Sequence, residues 1–390
     1  MRQFLWELKN FWRKGDLVLL LLIVLTSAFG CLVIASTTDH TGSIRYVIVQ
    51  AAAIVIGIGA YAVVSSINAD FIAEHRLVMV AFNTFMLFLL LTPFGTDHDT
   101  GNRSWLEFPF LPFDIQPAEF CKITYVVIMA SVMAAHQNRL SSLPSVMHMV
   151  LHLGLVAGLN WLISGDAGVS LIFVFIFIGM AFAGGVKMGW FIAGGGALAA
   201  AFPVIWTQFM TQRQKNRILV LFDPTIDPKG MDERYHSLRS LLSLNGGGLT
   251  GQGLFNGNRT QTGALFAQHT DFIFSAIGEE MGYLGCVLVL LMLVAIIARC
   301  IHVGTKSPDY LRKVLCFGVA SVLIFQMISN VGMCIGVTPV IGLTLPFISY
   351  GGSSIVSLYA LLGLVSGVHA RPSPVSHERY IHPPIGMGKY

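Results

Sequence analysis

The stretch Leu265-Phe-Ala-Gln-His-Thr-Asp271-Phe-Ile-Phe-Ser-Ala-Ile-Gly-Glu279-Glu280-Met-Gly282 joins a long polar segment to an apolar one. The residues from Phe272 to Ala298 are apolar enough to cross a bilayer, except for the two glutamates near their start. Ionisable groups at the mouth of a membrane helix are costly, and by default they indicate a functional site. The sequence therefore predicts a membrane helix with a polar site at its entrance.

Two interpretations of this entrance are open. A helix that begins at Asp271 would place Ser275 and Glu279 at i+4 and i+8, on roughly the same face. Asp271 and Glu279 would then lie about 12 Å apart along the axis, one carboxylate shallow and the other deeper. Alternatively, Thr270 or Asp271 merely caps the helix N-terminus. This stretch alone favours neither interpretation.

Composition indicates an integral membrane protein. Of the 390 residues, 54% are hydrophobic and only 11% are charged, whereas soluble proteins carry about 25% charged residues. The charges cluster between long apolar runs, and we expect membrane lipids as partners and no nucleic acid. The six cysteines lie in or beside apolar segments without CxxC spacing, which predicts buried packing residues rather than disulfides or metal ligands.

Ten charge-poor runs are long enough to be membrane spans, which predicts an all-α polytopic fold in a single integral membrane domain, residues 1–390. The runs are Leu17–Ser36, Tyr46–Ile67, Leu77–Gly95, Phe120–Ala135, Val146–Ser164, Val169–Val186, Met188–Met210, Phe272–Ala298, Val314–Val337 and Ser354–His369. The fourth and tenth are short for a hydrocarbon core of about 30 Å, so their ends are approximate.

Lysine and arginine in the loops predict the orientation of these spans. Fourteen basic residues lie on the side of the two termini, which includes the lead-in 1–16 and the tail 371–390, and three lie in the short loops of the other side. Because basic loops tend to stay in the cytoplasm, we expect both termini there. The two long loops, 96–118 and 211–271, are then extracytoplasmic, as is the mouth where Asp271 lies.

The first long loop reads Gly101-Asn-Arg103-Ser-Trp105-Leu-Glu107 and later Phe113-Asp114-Ile-Gln116-Pro117-Ala-Glu119-Phe-Cys-Lys122. Pro117 suits the first position of a helix, and Glu119 suits its first turn. Glu119 and Lys122 are i,i+3 neighbours, so a structural ion pair is the alternative to a functional role. Trp105 is typical of an anchor at the membrane surface.

The second long loop combines basic residues with a glycine run. Its seven basic residues are at positions 213, 215, 217, 229, 234, 239 and 259, and its glycines lie in Asn245-Gly-Gly-Gly248-Leu-Thr-Gly251-Gln-Gly253. This combination beside a membrane mouth suits a phosphorylated ligand. Glycine runs also occur in ordinary mobile loops. We interpret this one as a flexible segment that could close over a substrate.

A third outer segment runs from Asn330-Val-Gly332-Met to Pro346-Phe-Ile-Ser349-Tyr350-Gly-Gly-Ser353-Ser. Its many Gly and Pro residues predict non-helical backbone at membrane depth. Such backbone is tolerated only when it is buried in protein or lines a polar cavity. The sequence Ser164-Gly165-Asp166-Ala-Gly168 adds one more carboxylate at the same level. We therefore expect a cavity open to the outside.

These motifs resemble those of the shape, elongation, division and sporulation family, which contains RodA, FtsW and SpoVE. The resemblance covers residues 16–371 and rests on three motifs: Arg103-Ser-Trp105 with Gln116-Pro117-Ala-Glu119-x-x-Lys122, His269-Thr-Asp271-Phe-Ile-Phe with Gly278-Glu-Glu280-x-Gly282, and the Asn330 to Ser353 segment. The chain departs from the family's usual Gln-Pro-Asp-Leu-Gly around Asp166, from a Pro-Glu pair at 266–267, and from a Gln at His236. These departures leave Asp271, Glu119 and Lys122 in place.

The resemblance implies a peptidoglycan glycosyltransferase that polymerises lipid II on the outer face of the bacterial plasma membrane. It implies a class B penicillin-binding protein as the transpeptidase partner. Asp271 is then the expected general base, and Glu119 orients Lys122 or helps Asp271 to hold a divalent cation, Mg²⁺ or Mn²⁺. Candidates for the pyrophosphate are Lys122, Arg103 and Arg217. The remaining candidate substrate-binding residues are Trp105, His269, Thr270, Ser349 and Ser353.

Two other classes of function are compatible with this sequence. A transporter or flippase for the same lipid would also have ten spans and buried carboxylates, but it should show inverted repeats and discontinuous midplane helices. No clear repeat relates the two halves of the chain. A non-catalytic scaffold of the cell-wall synthesis complex would keep the fold and lose the carboxylates at the mouth, which this chain retains. The motifs do not distinguish roles in elongation, division and sporulation.

Overall fold

The computed structural model describes residues 14–97, 101–109, 113–227 and 234–371. Most of the predicted basic lead-in, all of the tail after Arg371 and the basic residue Lys229 lie outside these ranges. Nearly all regular structure within them is helical, which confirms the predicted all-α fold. The helices are α1 (Leu17–Thr38), α2 (Arg45–Ser66), α3 (Ala69–Glu74), α4 (Arg76–Leu89), α5 (Pro117–Ala135), α6 (Leu143–Ser164), α7 (Ala167–Gly184), α8 (Met188–Val204), α9 (Gln212–Leu219), α10 (Tyr235–Gly247), α11 (Asn258–Gln261), α12 (Ile273–Lys306), α13 (Tyr310–Cys334) and α14 (Gly352–Ala370).

Nine of the ten predicted runs match helices long enough to span a membrane. Among the described residues, nine helices are long and apolar enough to cross a membrane, namely α1, α2, α5, α6, α7, α8, α12, α13 and α14. The predicted third span corresponds to α4, which is apolar but shorter. The first long loop adds a two-residue antiparallel ribbon, β1 (Gly95–Thr96) with β2 (Trp105–Leu106). All six cysteines are free, and all but Cys31 are buried, as expected for packing residues.

Small residues allow the central helices to approach closely. Helix α2 packs along α14, and α13 packs between α7 and α12. A Cβ atom on Gly57 of α2 would lie 2.9 Å from the ring of Tyr359, and one on Gly363 of α14 would lie 2.8 Å from the carbonyl oxygen of Tyr61. Neither position has room for a side chain, because Gly57 lies against the Tyr359 ring and Gly363 lies against the backbone of Tyr61. Close backbone packing of this kind is the main source of association between membrane helices.

Ionic contacts join the helices at the end of the bundle where α1 begins and α14 ends. Arg299 of α12 makes a bidentate pair with Asp16, which also caps α1, at 2.9 and 3.0 Å. Arg312 of α13 is buried and pairs with Asp70 at 2.8 Å and with Asp309 at 3.0 Å. Both arginines were assigned to the cytoplasmic side by the charge bias. The structure therefore brings residues from one predicted side of the membrane together.

Helix α12 differs from the prediction at its start. It begins at Ile273, with Phe272 as the residue before its first turn, and no side chain caps it. The prediction that the helix begins at Asp271 is therefore wrong, and so is the alternative that Thr270 or Asp271 caps it. Asp271 lies in the turn that leads into the helix, so its side chain is not fixed by helical periodicity relative to Ser275 or Glu279.

Helix α12 is also broken near its start, at Gly282, where the backbone has φ 66° and ψ −164°. The glycine run, which begins in the last turn of α10 and continues beyond it, docks into this break. Its carbonyl groups at Gly248 and Leu249 accept hydrogen bonds from Tyr283 N and Leu284 N, at 2.9 and 3.2 Å. In return, Gln252 N donates to the carbonyl oxygen of Glu279 at 3.0 Å. The interpretation of the glycine run as a flexible cover is therefore wrong, because its backbone completes the hydrogen bonding of a membrane helix.

Glu279 and Glu280 accept hydrogen bonds from the second long loop, which also contains the glycine run. Glu279 is completely buried and accepts hydrogen bonds from Arg259 N at 2.8 Å and from the backbone and hydroxyl of Thr260 at 3.1 and 2.8 Å. Glu280 accepts from Ser36 Oγ at 2.5 Å and from Gln261 Nε2 at 2.7 Å. Glu279 is therefore an anchor for α11 rather than a deeper carboxylate of the site.

Candidate active site

Asp271 lies in the turn between the second long loop and α12. Its backbone carbonyl accepts a hydrogen bond from Asn330 Nδ2 at 2.8 Å, and the same amide donates to the carbonyl of Leu343 at 2.7 Å. Asn330 thus ties the turn to the non-helical segment after α13. A Cβ atom on Gly342, where φ is 66°, would lie 3.6 Å from Oδ2 of Asp271. The Asp271 carboxylate therefore borders the Gly/Pro-rich segment, as the prediction of an outer cavity requires.

The residues before Asp271 are fixed by the end of that segment. Ser349 Oγ donates to the carbonyl of Thr270 at 2.6 Å, and Tyr350 N donates to the carbonyl of His269 at 2.8 Å. The His269 ring packs against Tyr46, with ring centroids 4.8 Å apart. The structure therefore brings four predicted site residues together: His269, Thr270, Asp271 and Ser349. The hydroxyl of Ser349 is used to position backbone here.

A second carboxylate, Asp166, lies near Asp271 and was not among the predicted site residues. Asp166 caps α7 by accepting from Val169 N at 3.0 Å, and Ser104 Oγ lies 3.4 Å from its Oδ2. A Cβ atom on Gly168 would lie 2.7 Å from the carbonyl oxygen of Ile341, so the start of α7 abuts the segment that borders Asp271. The sequence signal for this residue was the single aspartate in Ser164-Gly165-Asp166-Ala-Gly168, at the predicted outer end of the neighbouring spans.

Burial changes the acidity of both carboxyl groups, and the charge of Asp166 also acts on Asp271. Burial, and to a smaller extent the negative charge of Asp166, together raise the pKa of Asp271 to about 6. Burial also raises the pKa of Asp166, although hydrogen bonds and the positive charge of Arg217 oppose this shift. A carboxyl group with a pKa near the working pH can accept a proton and release it again. The arrangement therefore equips Asp271 for proton transfer.

Three further predicted residues come from the two long loops. Arg217, on α9, is near enough for its charge to act on Asp166. Arg103 is exposed, and its Nη2 donates to the carbonyl of Thr92 at 2.9 Å. Trp105 is half-buried in β2, paired with Thr96. The structure thus places Arg217 where its charge acts on Asp166, Trp105 in the ribbon, and Arg103 in the connection just before β2.

Glu119 and Lys122 form the ion pair that the sequence offered as the structural alternative. Lys122 Nζ lies 2.7 Å from Glu119 Oε1, and their side chains are only 3% and 8% exposed. Ser357 Oγ donates to the other carboxylate oxygen at 2.8 Å. One turn earlier, Gln116 N lies 3.4 Å from Ser353 Oγ, so α5 and α14 are joined at both levels. Both oxygens of Glu119 are therefore engaged within the protein.

The described ranges contain no group of three or more His, Cys, Asp or Glu side chains arranged to hold a metal ion. Asp271 and Asp166 are two carboxylates, one fewer than such a group requires. The involvement of Asp271 and Glu119 in metal binding stays a prediction.

Comparison with known proteins identifies the family. The profile of the FtsW, RodA and SpoVE family, described as cell cycle proteins, matches residues 10–373. The chain belongs to this family. The resemblance inferred from the three motifs is confirmed, and the match covers nearly all of the predicted membrane domain.

Two curated relatives of this family member are named as glycosyltransferases. The peptidoglycan glycosyltransferase MrdB of Escherichia coli K12 is 31% identical over 280 residues, which cover 71% of this chain and 73% of MrdB. A probable peptidoglycan glycosyltransferase FtsW of Geobacter sulfurreducens is 30% identical over 366 residues, which cover 92% of this chain and 96% of the relative.

Solved structures show that the fold of this family member is shared. A chain of a peptidoglycan synthase complex, described as coordinating polymerization and crosslinking, superposes with a TM-score of 0.77 at 26% identity, covering 92% of this chain and 98% of the other. The rod shape determining protein RodA of Thermus thermophilus superposes with a TM-score of 0.67 at 24% identity, covering 92% and 97%. The second likeness concerns the fold alone.

Proposed function

We propose that this family member is a peptidoglycan glycosyltransferase that polymerises lipid II, with Asp271 as the general base. The observation that carries the proposal is the position of Asp271, a desolvated carboxylate beside Asp166 at the edge of a non-helical segment. The names of MrdB and FtsW support the activity. The predicted orientation supports a site on the outer face of the plasma membrane.

The reaction requires a base and a way to disperse negative charge. The acceptor hydroxyl loses its proton to the base while its oxygen attacks the anomeric carbon of the donor sugar. The bond from that carbon to the diphosphate breaks, and the lipid diphosphate leaves with the electron pair. A β-linkage formed from an α-diphosphate in this way is one inverting displacement. Positive charge near the departing diphosphate stabilises the transition state.

Asp271 suits the role of base because its pKa is raised to about 6. It is ionised at neutral pH, yet it is more basic than an ordinary aspartate, whose pKa is about 3.9. The neighbouring charge of Asp166 favours proton uptake and becomes less unfavourable once Asp271 is protonated. Proton transfer by a positioned side chain typically contributes about 10²–10⁴-fold to the rate.

Arginines from the two long loops suit the diphosphate. A guanidinium group binds phosphate oxygens in a bidentate manner. Arg217 acts electrostatically on Asp166, and Arg103 is exposed just before β2. Lys122 remains a candidate for the diphosphate in this proposal. It is held in a buried ion pair with Glu119, next to Ser357 of α14. A divalent cation, Mg²⁺ or Mn²⁺, would neutralise the leaving diphosphate when bound, chiefly through the phosphate oxygens.

The relatives support a proposed partner, and the fold supports a proposed location. The likeness to a chain from a complex that coordinates polymerization and crosslinking supports a partnership with a class B penicillin-binding protein, which would supply crosslinking. The multi-pass fold supports residence in the bacterial plasma membrane, where lipid II would reach the site from the bilayer. The charge bias supports an outward-facing site.

The test is to incubate the purified protein, with its partner if required, with lipid II and to measure glycan strands. The Asp271→Asn variant should fold normally, because Asn330 and Cys334 bind the backbone carbonyl of Asp271, which the substitution keeps. We expect its polymerisation rate to fall by about 10²–10⁴-fold. Glu107→Gln, which removes an exposed carboxylate from the first long loop, is the matched control and should polymerise normally.

The alternatives predict other results in the same preparation. A flippase would equilibrate lipid II between the leaflets of a vesicle without forming strands, and Asp271→Asn would alter that exchange. A scaffold would do neither, and Asp271→Asn would have no effect on polymerisation by its partner. Polymerisation by Asp271→Asn at the wild-type rate would show that the base lies elsewhere.

A further inference from the structure

Three histidines form a cluster where α5 ends and α6 begins. His136 follows the last residue of α5, and its Nε2 lies 3.1 Å from Nδ1 of His148. The ring of His152, one turn further along α6, has its centroid 5.0 Å from that of His148. Helix α5 begins beside Ser353 and runs away from it, so the cluster lies on the side of the bundle opposite the candidate active site. The charge bias predicts that this side faces the cytoplasm.

The hydrogen bonds within this histidine cluster leave part of it unpaired. His136 uses both ring nitrogens, because its Nδ1 lies 3.0 Å from Ser145 Oγ. In the described part of the chain, Nε2 of His148 and both ring nitrogens of His152 have no hydrogen-bond partner. Both residues are half-buried, and none of these three nitrogens is completely buried. These nitrogens are therefore available to a ligand at the surface.

Two arginines add positive charge to the cluster. Arg76, the first residue of α4, is near enough for its charge to act on both His136 and His152. Arg139, in the connection after α5, also acts on His136. Burial lowers the pKa of His136, and the positive charges of His148 and the two arginines lower it further. Within the described ranges, neither guanidinium group forms an ion pair or a side-chain hydrogen bond. The cluster therefore has an excess of positive charge.

The surroundings of the cluster are those of a membrane interface. Trp190, in the first turn of α8, donates from Nε1 to the carbonyl of Ser141 at 2.9 Å, in the connection between α5 and α6. Tryptophan is enriched at the level of lipid headgroups. Met147 and Leu151 of α6 are exposed, so the surface beside the histidines is apolar. Glu74, the acidic residue nearest to α4 in the sequence, is exposed and forms no ion pair among the described residues.

We infer that the cluster binds the headgroup phosphate of an anionic diacyl phospholipid in the cytoplasmic leaflet. The phosphate oxygens accept hydrogen bonds from the two arginines and from the unpaired nitrogens of His148 and His152. Guanidinium groups bind phosphate in a bidentate manner, and basic pockets between helices on the cytoplasmic side suit anionic headgroups. Because apolar side chains flank the histidines, the acyl chains would have a surface to pack on. The inference goes beyond the proposed function, since the cluster lies on the side away from Asp271.

Lipid binding by the full-length protein tests this site. Delipidated protein in detergent is titrated with phosphatidylglycerol or phosphatidylcholine, and bound lipid is counted by native mass spectrometry. We expect one phosphatidylglycerol to bind at least tenfold more tightly than phosphatidylcholine. Arg76→Gln and Arg139→Gln should each weaken its binding about fivefold, the effect of one basic residue at an anionic surface. Arg139 is exposed, so that variant should fold normally. Lys306→Gln, exposed at the end of α12 on the same predicted side, is the control and should bind normally.

A histidine variant separates a defined site from general attraction to basic loops. His152→Phe keeps a ring and both arginines, and it breaks no hydrogen bond in the described part of the chain. We expect phosphatidylglycerol binding to fall at least threefold. Unchanged binding in His152→Phe, or an equal loss in Lys306→Gln, would show diffuse attraction and overturn the site.

Inorganic phosphate distinguishes a lipid headgroup from a free anion. Phosphate alone should leave the Tm of the delipidated protein unchanged, whereas phosphatidylglycerol should raise it. A rise with phosphate alone that His152→Phe abolishes would show that the site takes a free anion, and the lipid assignment would be wrong. None of these measurements uses lipid II, so their outcome is independent of polymerisation.

Discussion

Lys122 and Glu119 form a buried ion pair, 2.7 Å apart, on the first turns of α5, and Ser357 of α14 donates to the carboxylate from the other side. Removing one partner of a buried pair leaves an uncompensated charge and typically costs about 3–5 kcal/mol. A simple loss of activity in either single variant would therefore not separate a structural role from a role in catalysis. An exchange of the two residues can do so.

We expect the exchange Glu119→Lys with Lys122→Glu to recover the folded yield that either single variant loses, because the pair is restored in reverse. We expect polymerisation to stay low, because the positive charge has moved by almost a turn from the position proposed to serve the substrate. Yield is measured by size-exclusion chromatography and activity with lipid II. Recovery of both would show that the pair is only structural.

The pH dependence should report the coupling between the two carboxylates. Activity needs ionised Asp271, so kcat/KM should fall as the pH drops through about 6, the raised pKa of this group. Asp166→Asn removes a like charge that raises this pKa and should still cap α7. The acid limb of the profile should therefore move to lower pH. If the acid limb of the profile does not move in Asp166→Asn, the charge of Asp166 does not act on the base.

Gly282→Ala should destabilise the protein strongly. The residue has φ 66°, and a Cβ atom there would lie 2.4 Å from the backbone nitrogen of Gly251, so both the conformation and the docked loop would be disturbed. We expect a loss of at least about 1–3 kcal/mol, seen as a lower Tm. Gly189→Ala on α8, where a Cβ meets nothing within 4 Å, is the control and should leave the Tm nearly unchanged. Equal Tm values would contradict the docked arrangement.

The membrane orientation is tested by labelling introduced cysteines. Thr225→Cys, at an exposed polar position in the second long loop, should react with an impermeant thiol reagent in intact cells. Thr305→Cys, exposed at the end of α12, should react only after permeabilisation. Background from the native cysteines should be low, because all but Cys31 are buried. The opposite pattern would place the proposed site in the cytoplasm.

The sequence alone was sufficient to predict the membrane spans, because the length of an apolar run nearly determines where a helix crosses a bilayer. The first run was predicted as Leu17–Ser36 and is a helix over Leu17–Thr38. The break in α12 was not predictable in this way, since a glycine within an apolar run is usually tolerated. The groups that satisfy the broken helix come from Gly248 and Leu249, in a different part of the sequence. Hydropathy along the sequence does not indicate which loop forms hydrogen bonds with the broken helix.

The same limit applies to the site. Residues adjacent in the chain, such as His269, Thr270 and Asp271, were predicted together, and Ser349 joined them through the family motifs. The approach of Asp166 depends on how α7 packs against Ile341, a tertiary contact with no local signature. Glu279 was misassigned because helical spacing was extended back to Asp271, which lies before the helix. Side-chain direction outside regular structure cannot be obtained from periodicity.

The break at Gly282 also constrains the order of events while the protein is being synthesised. The carbonyl groups of Gly248 and Leu249 leave the ribosome before Tyr283 and Leu284, whose N–H groups they accept. A polar backbone group left unpaired in hydrocarbon costs several kcal/mol. We therefore expect the loop and the first segment of α12 to pair before the helix is released sideways into lipid. The two should enter the bilayer as one preassembled unit.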